Sequence, residues 1–271
     1  MTISNKVFVV TGGGNGMGRE IVLNLLSKGA KVAAIDMRES ALEETKLLAG
    51  KNQHHLSTHV INITDKKAVD EFPAQVISIH GTVDAIINNA GIIQPFVKVN
   101  SLNFESIEKV MNVNFYGTLY LIKAFLPHLL KRPEAYIANI SSMGGFLPVP
   151  GQGVYGASKA AVKLLTEALY AELLNTNVRV SIIFPGAIGT NITANSGVEV
   201  PKMDSAAMQK QSMKVLAPAQ AAEIIVSGIQ KNQFHIFVGK DSKFMNFLYR
   251  LSPGFATRFI AKQMKALLPN D

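Results

Sequence analysis

The chain has 271 residues, 48% hydrophobic and 17% charged, with 21 glycines and no cysteine. That length allows one large α/β domain or two small ones, and the missing cysteines exclude a disulfide framework, a thiolate metal site and a cysteine nucleophile. The formal charge of +8 gathers late: beyond residue 230 seven bases (Lys231, Lys240, Lys243, Arg250, Arg258, Lys262, Lys265) face two acids (Asp241, Asp271), which favours a tail meeting a partner or membrane surface over a nucleic-acid face.

From the N-terminus onward, short β-branched runs alternate with longer helical patterns. Met1 to Lys6 shows no signal-peptide pattern, and no apolar stretch is long enough to span a bilayer, so a cytoplasmic protein is expected. Strands are predicted at 6–11, 31–36, 56–61, 85–88, 135–140, 178–184 and 235–238, and helices at 17–28, 40–49, 66–80, 104–130, 154–176 and 218–231. Such alternation implies right-handed crossovers, and the near-continuously apolar strands imply cover on both faces. The expected α/β fold is a doubly wound parallel sheet of about seven strands with helices on both sides. With no Gly/Pro/Ser-rich linker and no repeat, one domain over 1–271 is the simplest account, with a core at 5–240. The stretch 191–214 interrupts the pattern after the sixth strand and reads as an insertion closing over a ligand.

Strand one ends at Thr11 and runs into Gly12-Gly13-Gly14-Asn15-Gly16-Met17-Gly18, then a helix. Glycines there permit a tight turn and close backbone approach to a pyrophosphate, which the helix N-terminus attracts. Asp36 ends strand two 18 residues after Gly18, near the spacing of a carboxylate that binds the adenosine ribose; with Met37 beside it, it favours NAD over NADP, although Arg38 lies close. A plain helix cap is the competing reading of Asp36.

Toward the other end of the sheet, Ser142 closes strand five, and Tyr155 and Lys159 follow at helical spacing i, i+4. A nearby ammonium would lower the phenol's pKa and suit Tyr155 to exchange a proton with an alcohol, while Ser142 could hydrogen-bond the substrate oxygen. Alone, a Tyr-x-x-x-Lys pair is more often a surface lysine snorkelling past an aromatic.

Taken together and in order, these motifs resemble the short-chain dehydrogenase/reductase family over residues 5 to 240. The matching pieces are Thr11 to Gly18, Asp36, Asn88-Asn89-Ala90-Gly91, Asn114 within Asn112-Val113-Asn114, Ser142, Tyr155, Lys159, and Pro185-Gly186 with Thr190. The resemblance implies a Rossmann-type fold, a nicotinamide dinucleotide and a tyrosine general acid/base. It implies that Lys159 tunes Tyr155 and bonds the nicotinamide ribose, that Ser142 holds the reacting oxygen, and that Asn114 supports the lysine through a water. Asn89, Ala90 and Gly91 would line the adenosine side, with a purely structural turn as the competing account of Asn89. Pro185, Gly186, the Ile188 backbone and Thr190 would orient the nicotinamide carboxamide. At the adenine, where the family commonly has Asp-x-Thr, this chain has Asn62-Ile63-Thr64; an amide oxygen can accept the same hydrogen bond without charge assistance.

The substrate side is expected to include Ser142, Met143, Gln94, Phe146 and Gln152, in apolar company that suits a secondary alcohol or its ketone. The segment 241–271 carries basic and apolar residues at helical spacing; it could lie on an anionic membrane, but packing across a subunit interface or over the cleft is the preferred reading. The function expected is NAD-dependent hydride transfer by a homodimer or homotetramer, with a small-molecule alcohol or carbonyl as partner and no nucleic acid or metal. An NADP-dependent carbonyl reductase and a non-catalytic dinucleotide-binding protein on the same fold are the alternatives.

Overall fold

A computed structural model describes residues 1–198 and 215–264. Seven parallel strands form one sheet in the order β3-β2-β1-β4-β5-β6-β7: β1 (Val7–Thr11), β2 (Lys31–Asp36), β3 (Leu56–Val60), β4 (Ala85–Asn88), β5 (Ala135–Ile140), β6 (Val178–Pro185) and β7 (His235–Val238). Each predicted strand appears within a residue of its expected ends. β1, β4 and β5 are buried throughout, as their mostly apolar sequences require.

Helices cover both faces. One core cluster gathers Phe8, Val10 and Val32 of the strands with Ile21 and Leu25 of α1 (Gly16–Ser27). Later helices α2 (Glu39–Ala49), α3 (Lys66–His80), α4 (Phe104–Met111), α5 (Gly117–Leu129), α6 (Gly153–Glu172), a single turn α7 (Ile192–Asn195) and α8 (Pro218–Gln230) complete the layers. The opposite face packs Val9, Ile86 and Ile137 against Val69 and Phe72 of α3 and Phe125 of α5. The chain order reverses between β1 and β4, and the crevice at the carboxyl ends of these two strands is where an open α/β sheet holds a ligand.

Local chemistry explains several boundaries. The Asp65 carboxylate accepts from the Lys67 and Ala68 N–H groups to start α3, and Gly81 ends it in the left-handed region at φ 81°. The helix predicted over 104–130 is interrupted: Asn112–Tyr116 winds as a π-helical turn between α4 and α5. Two further helices, α9 (Lys240–Leu251) and α10 (Pro253–Met264), follow β7 and pack on Leu147 through Met245, Ala256 and Ile260. No helix among the described residues is long and apolar enough to cross a membrane.

Candidate active site

At the carboxyl end of β1 the chain turns through Gly12 and Gly16, at φ 66° and 52°, where L side chains are strained. A Cβ at Gly18 would collide with the Gly12 carbonyl, so α1 and the turn fit only as glycine. Helix α1 opens on Asn15 with no side-chain cap, which leaves its first-turn N–H groups for a ligand. The turn is braced from behind. Arg19 donates to the Gly14 carbonyl at 2.6 and 3.1 Å while paired with Glu44, and Thr45 donates to the Gly13 carbonyl at 3.0 Å. The Arg19 guanidinium holds the Glu44 carboxyl below its ordinary range.

Asp36 accepts from the Gly14 N–H at 3.2 Å and the Arg38 N–H at 3.1 Å, so its carboxylate sits beside the glycine turn. Arg38, not Asp36, occupies the start of α2, and its side chain supplies no cap there; the capping alternative for Asp36 does not hold. On the facing side, the Thr11 hydroxyl accepts from the N–H groups of Asn89 (2.9 Å) and Ala90 (2.8 Å), and the Asn89 amide donates to the Thr11 carbonyl at 2.9 Å. Asn89 therefore ties β1 to the segment after β4 and also lines the crevice.

At the other end Tyr155 and Lys159 project from α6 toward Ser142 at the end of β5. Burial raises the Tyr155 phenol above its ordinary value, and its hydrogen bond with Ser142 pulls it partly back. The expected lowering by Lys159 is not found: the Lys159 ammonium is turned to the Ile140 carbonyl at 3.0 Å. Burial lowers the lysine itself to about 8. Asn114, fully buried in the π-helical turn, bridges the Ile92 backbone, accepting from its N–H at 2.9 Å and donating to its carbonyl at 3.0 Å. A Cβ at Gly91 would lie 3.0 Å from the Lys159 Nζ and 3.2 Å from the Asn114 Oδ1, so both groups converge on that glycine.

All the residues expected to bind the dinucleotide line one cavity of about 420 Å³: Gly12, Asn15, Gly16, Met17, Gly18, Asp36, Met37, Asn62, Ile63, Asn89, Ala90, Gly91, Tyr155, Lys159, Pro185, Gly186, Ile188 and Thr190. Ser142 lines it too, whereas Asn114 stands behind the wall. A glycine turn before an uncapped helix, a carboxylate at one end and a Tyr-Lys-Ser group at the other fit an elongated dinucleotide.

Asn62 needs correction: its Oδ1 already accepts from the Thr64 N–H (3.0 Å) and hydroxyl (2.8 Å), so the amide presents its Nδ2 donor instead of a free acceptor. Four of the five expected substrate contacts do not line this cavity. The Gln94 Oε1 accepts from the Val154 and Tyr155 N–H groups at 2.8 and 3.0 Å, capping α6 from a distant segment. Gln152 is buried and donates to the Gln94 carbonyl at 2.8 Å. Phe146 packs edge-on against Phe184 and Phe237 in the core, and Met143 packs with the Leu147 cluster.

Arg38, noted in the sequence as lying close to Asp36, lines the cavity and donates to the Asn195 side chain at 3.0 Å, whereas sequence reasoning missed Asp241, whose carboxylate accepts from the Ala187 N–H at 2.7 Å. A helix-starting acid just after Gly239 was the one signal for the latter. Of the insertion expected at 191–214, Ile192 and Asn195 line the cavity and the Ser196 hydroxyl accepts from the Ile93 N–H at 3.0 Å; 199–214 lie outside the described residues.

Comparison with known proteins agrees with this geometry. The family model described as short chain dehydrogenase matches residues 6–200. A putative oxidoreductase SadH of Mycobacterium tuberculosis is 34% identical over 272 residues, covering 99% of this chain and 98% of the relative. The mouse dehydrogenase/reductase SDR family member 7B is 30% identical over 97% of this chain and 82% of its own length. Among solved structures, a short chain dehydrogenase/reductase from Burkholderia phymatum in complex with NAD superposes with a TM-score of 0.84 at 25% identity, covering 94% of this chain and 96% of that one. A Burkholderia cenocepacia short chain dehydrogenase in complex with NADP shares the fold, with a TM-score of 0.79 at 24% identity over 96% of this chain and 99% of that one.

Proposed function

Given that the chain belongs to the short-chain dehydrogenase/reductase family, and so is an oxidoreductase of CH–OH or C=O groups with a nicotinamide dinucleotide, we propose an NAD-dependent enzyme acting on a mostly apolar secondary alcohol or ketone, with Tyr155 as general acid/base. The carrying observation is the meeting of Tyr155, Ser142 and Lys159 at one end of a cavity whose other end holds Asp36.

The dinucleotide, when bound, supplies the ring that accepts or gives the hydride. The chain's own groups do the rest. The Ser142 hydroxyl, already a partner of Tyr155, is placed to hold the reacting oxygen. In oxidation the Tyr155 oxygen, once ionised, would take the alcohol proton; in reduction the neutral phenol, the form that burial favours, would give its proton to the carbonyl oxygen. Lys159, still largely protonated at pH 7 but bonded to the Ile140 carbonyl here, would offset negative charge on the phenol oxygen once its ammonium turns from that carbonyl, and Asn114 fixes the Ile92 backbone. Asp36 would accept from the ribose hydroxyls and repel a 2′-phosphate.

Apolar wall residues Ile92, Ile93 and Ile192 support an apolar substrate. The cations on the described wall are Arg38, at the Asp36 end, and Lys159, bonded to Ile140; neither stands ready to clamp a substrate carboxylate. One observation favours NADP as a second reading: the Arg38 side chain is half exposed 3.8 Å from Asp36 and could swing to a 2′-phosphate. Exposed Phe104 and Leu164 on α4 and α6 support assembly of two or four copies.

The test is turnover of NAD(H) against a panel of hydrophobic alcohols and ketones, with Tyr155→Phe alongside. A fall of about 10²–10⁴-fold in kcat is expected for the variant with folding intact. Undiminished turnover by Tyr155→Phe would overturn the assignment.

A further inference from the structure

Helices α9 and α10 each carry two apolar faces where the fold needs one. The inner faces are used: Met245, Ala256 and Ile260 are 6%, 0% and 4% exposed and pack with Leu147. The outer faces are not. Phe244, Phe247 and Leu251 recur at i, i+3 and i+7 along α9 and are 57%, 61% and 67% exposed. On α10, Phe255 and Phe259, at i and i+4, are 50% and 38% exposed and stack with ring centroids 6.4 Å apart.

Charge on these helices is one-sided as well. Lys240, Lys243, Arg250, Arg258 and Lys262 are all exposed, and none pairs with a carboxylate among the described residues. On the helical wheel they sit on or beside the exposed apolar stripes: Lys243 and Arg250 run along one edge of the Phe247 stripe, and Lys262 and Arg258 along one edge of the Phe255 stripe. The single acid of the two helices, Asp241, is turned inward to the Ala187 N–H.

We propose that the outer faces of α9 and α10 form a docking surface for an anionic lipid membrane. Exposed aromatics bordered along one edge by bases that pair with no carboxylate among the described residues match a bilayer that offers acyl chains beneath a negative headgroup layer. Charge argues against a second copy as the occupant. In a two-fold interface the same patch meets itself, which would press five cations against five with no outward acid to relieve them. The helices are also held firmly enough to present these side chains. Asp241 bonds Ala187, and the Ser242 hydroxyl donates to the Phe184 carbonyl at 2.8 Å, so α9 is fastened to the end of β6.

Flotation of the full chain with vesicles of phosphatidylcholine alone, or of equal parts phosphatidylcholine and phosphatidylglycerol, tests the proposal without any activity measurement. Binding to the anionic vesicles is expected, at least about tenfold stronger than to the neutral ones, and largely lost in about 0.5 M NaCl. Phe247→Ser with Phe255→Ser, and separately Lys243→Gln with Lys262→Gln, should each weaken it about tenfold or more while melting as the parent does. Because the chain has no tryptophan, Phe247→Trp gives an independent reading: its emission should shift to the blue on adding anionic vesicles, whereas that of Phe104→Trp on α4 should not. No binding to anionic vesicles, equal binding to both kinds, or a dimer that the Phe247→Ser, Phe255→Ser pair dissociates without any vesicle binding would each overturn the proposal.

Discussion

An ammonium at Lys159, 4% exposed, gives up most of its hydration and gains the Ile140 carbonyl at 3.0 Å in return. That exchange is unfavourable to the charged form, and burial brings the group down from 10.5 to about 8. Below pH about 8 the folded and unfolded chains both hold this proton, so the full penalty is present. Between about 8 and 10.5 the unfolded chain holds a proton that the folded one has released, and stability from this group rises with pH. Compared with Lys159→Met, the parent should therefore gain about 1–3 kcal/mol of unfolding free energy across that window, read from denaturant titrations at each pH. Parallel curves would show that the lysine is not held in this way. If the Lys159 ammonium supports Tyr155 in turnover, activity should fall as pH rises through about 8, where the folded chain releases that proton.

At the scale of elements, the placement of Tyr155 depends on a residue that touches no substrate. Helix α6 has no cap from its own flanking residue Gln152; Gln94, 60 residues before Val154, accepts from the first-turn N–H groups. Removing that acceptor leaves buried donors unpaired, at a cost of about 1–3 kcal/mol. Gln94→Leu should lower the melting temperature and reduce kcat with little change in KM, because the tyrosine's backbone loses its anchor. Gln94→Glu keeps an acceptor at the positive end of the helix and should restore much of both. A KM effect with kcat intact would return Gln94 to the substrate pocket. The strands, α3 and α8 were all legible in the sequence because each follows a local period with recognisable ends. The π-helical turn was not: Asn112–Tyr116 keeps the helical spacing of apolar residues, and the extra residue per turn shows only once Asn114 is drawn to the Ile92 backbone.

For the molecule as a whole, the crevice between β1 and β4 joins segments distant in sequence, and a ligand that bridges them binds only the folded chain. A dinucleotide at about 100 times its Kd should add about 2.7 kcal/mol of stability, a rise of roughly 5–10 °C in Tm. With Asp36 beside Gly14, NAD should give the larger rise at equal concentration, and Asp36→Ala should narrow the difference from NADP. A larger rise with NADP in the parent would shift the cofactor assignment to the reading that Arg38 supports. The basic C-terminal segment was legible as charge and helical period, and packing against protein was the expectation. The structure divides it: the inner stripes are buried on the Leu147 cluster, and the outer stripes remain exposed.

Sequence by itself determined the sheet-and-helix order, the glycine turn with Asp36, and the Ser142, Tyr155 and Lys159 set. The first two are carried by local period and motif spacing; the expectation for Ser142, Tyr155 and Lys159 rests on the family resemblance of the motifs in chain order, since the Tyr-Lys spacing alone does not carry it. Tertiary structure alone decided what the polar side chains do once buried. Gln94 caps α6, Asn62 spends its oxygen on Thr64, Lys159 faces Ile140, and Asp241 holds the turn after β6. Spacing cannot report such roles, because a buried donor or acceptor takes whichever partner the fold brings within about 3 Å, however far away it lies in the chain.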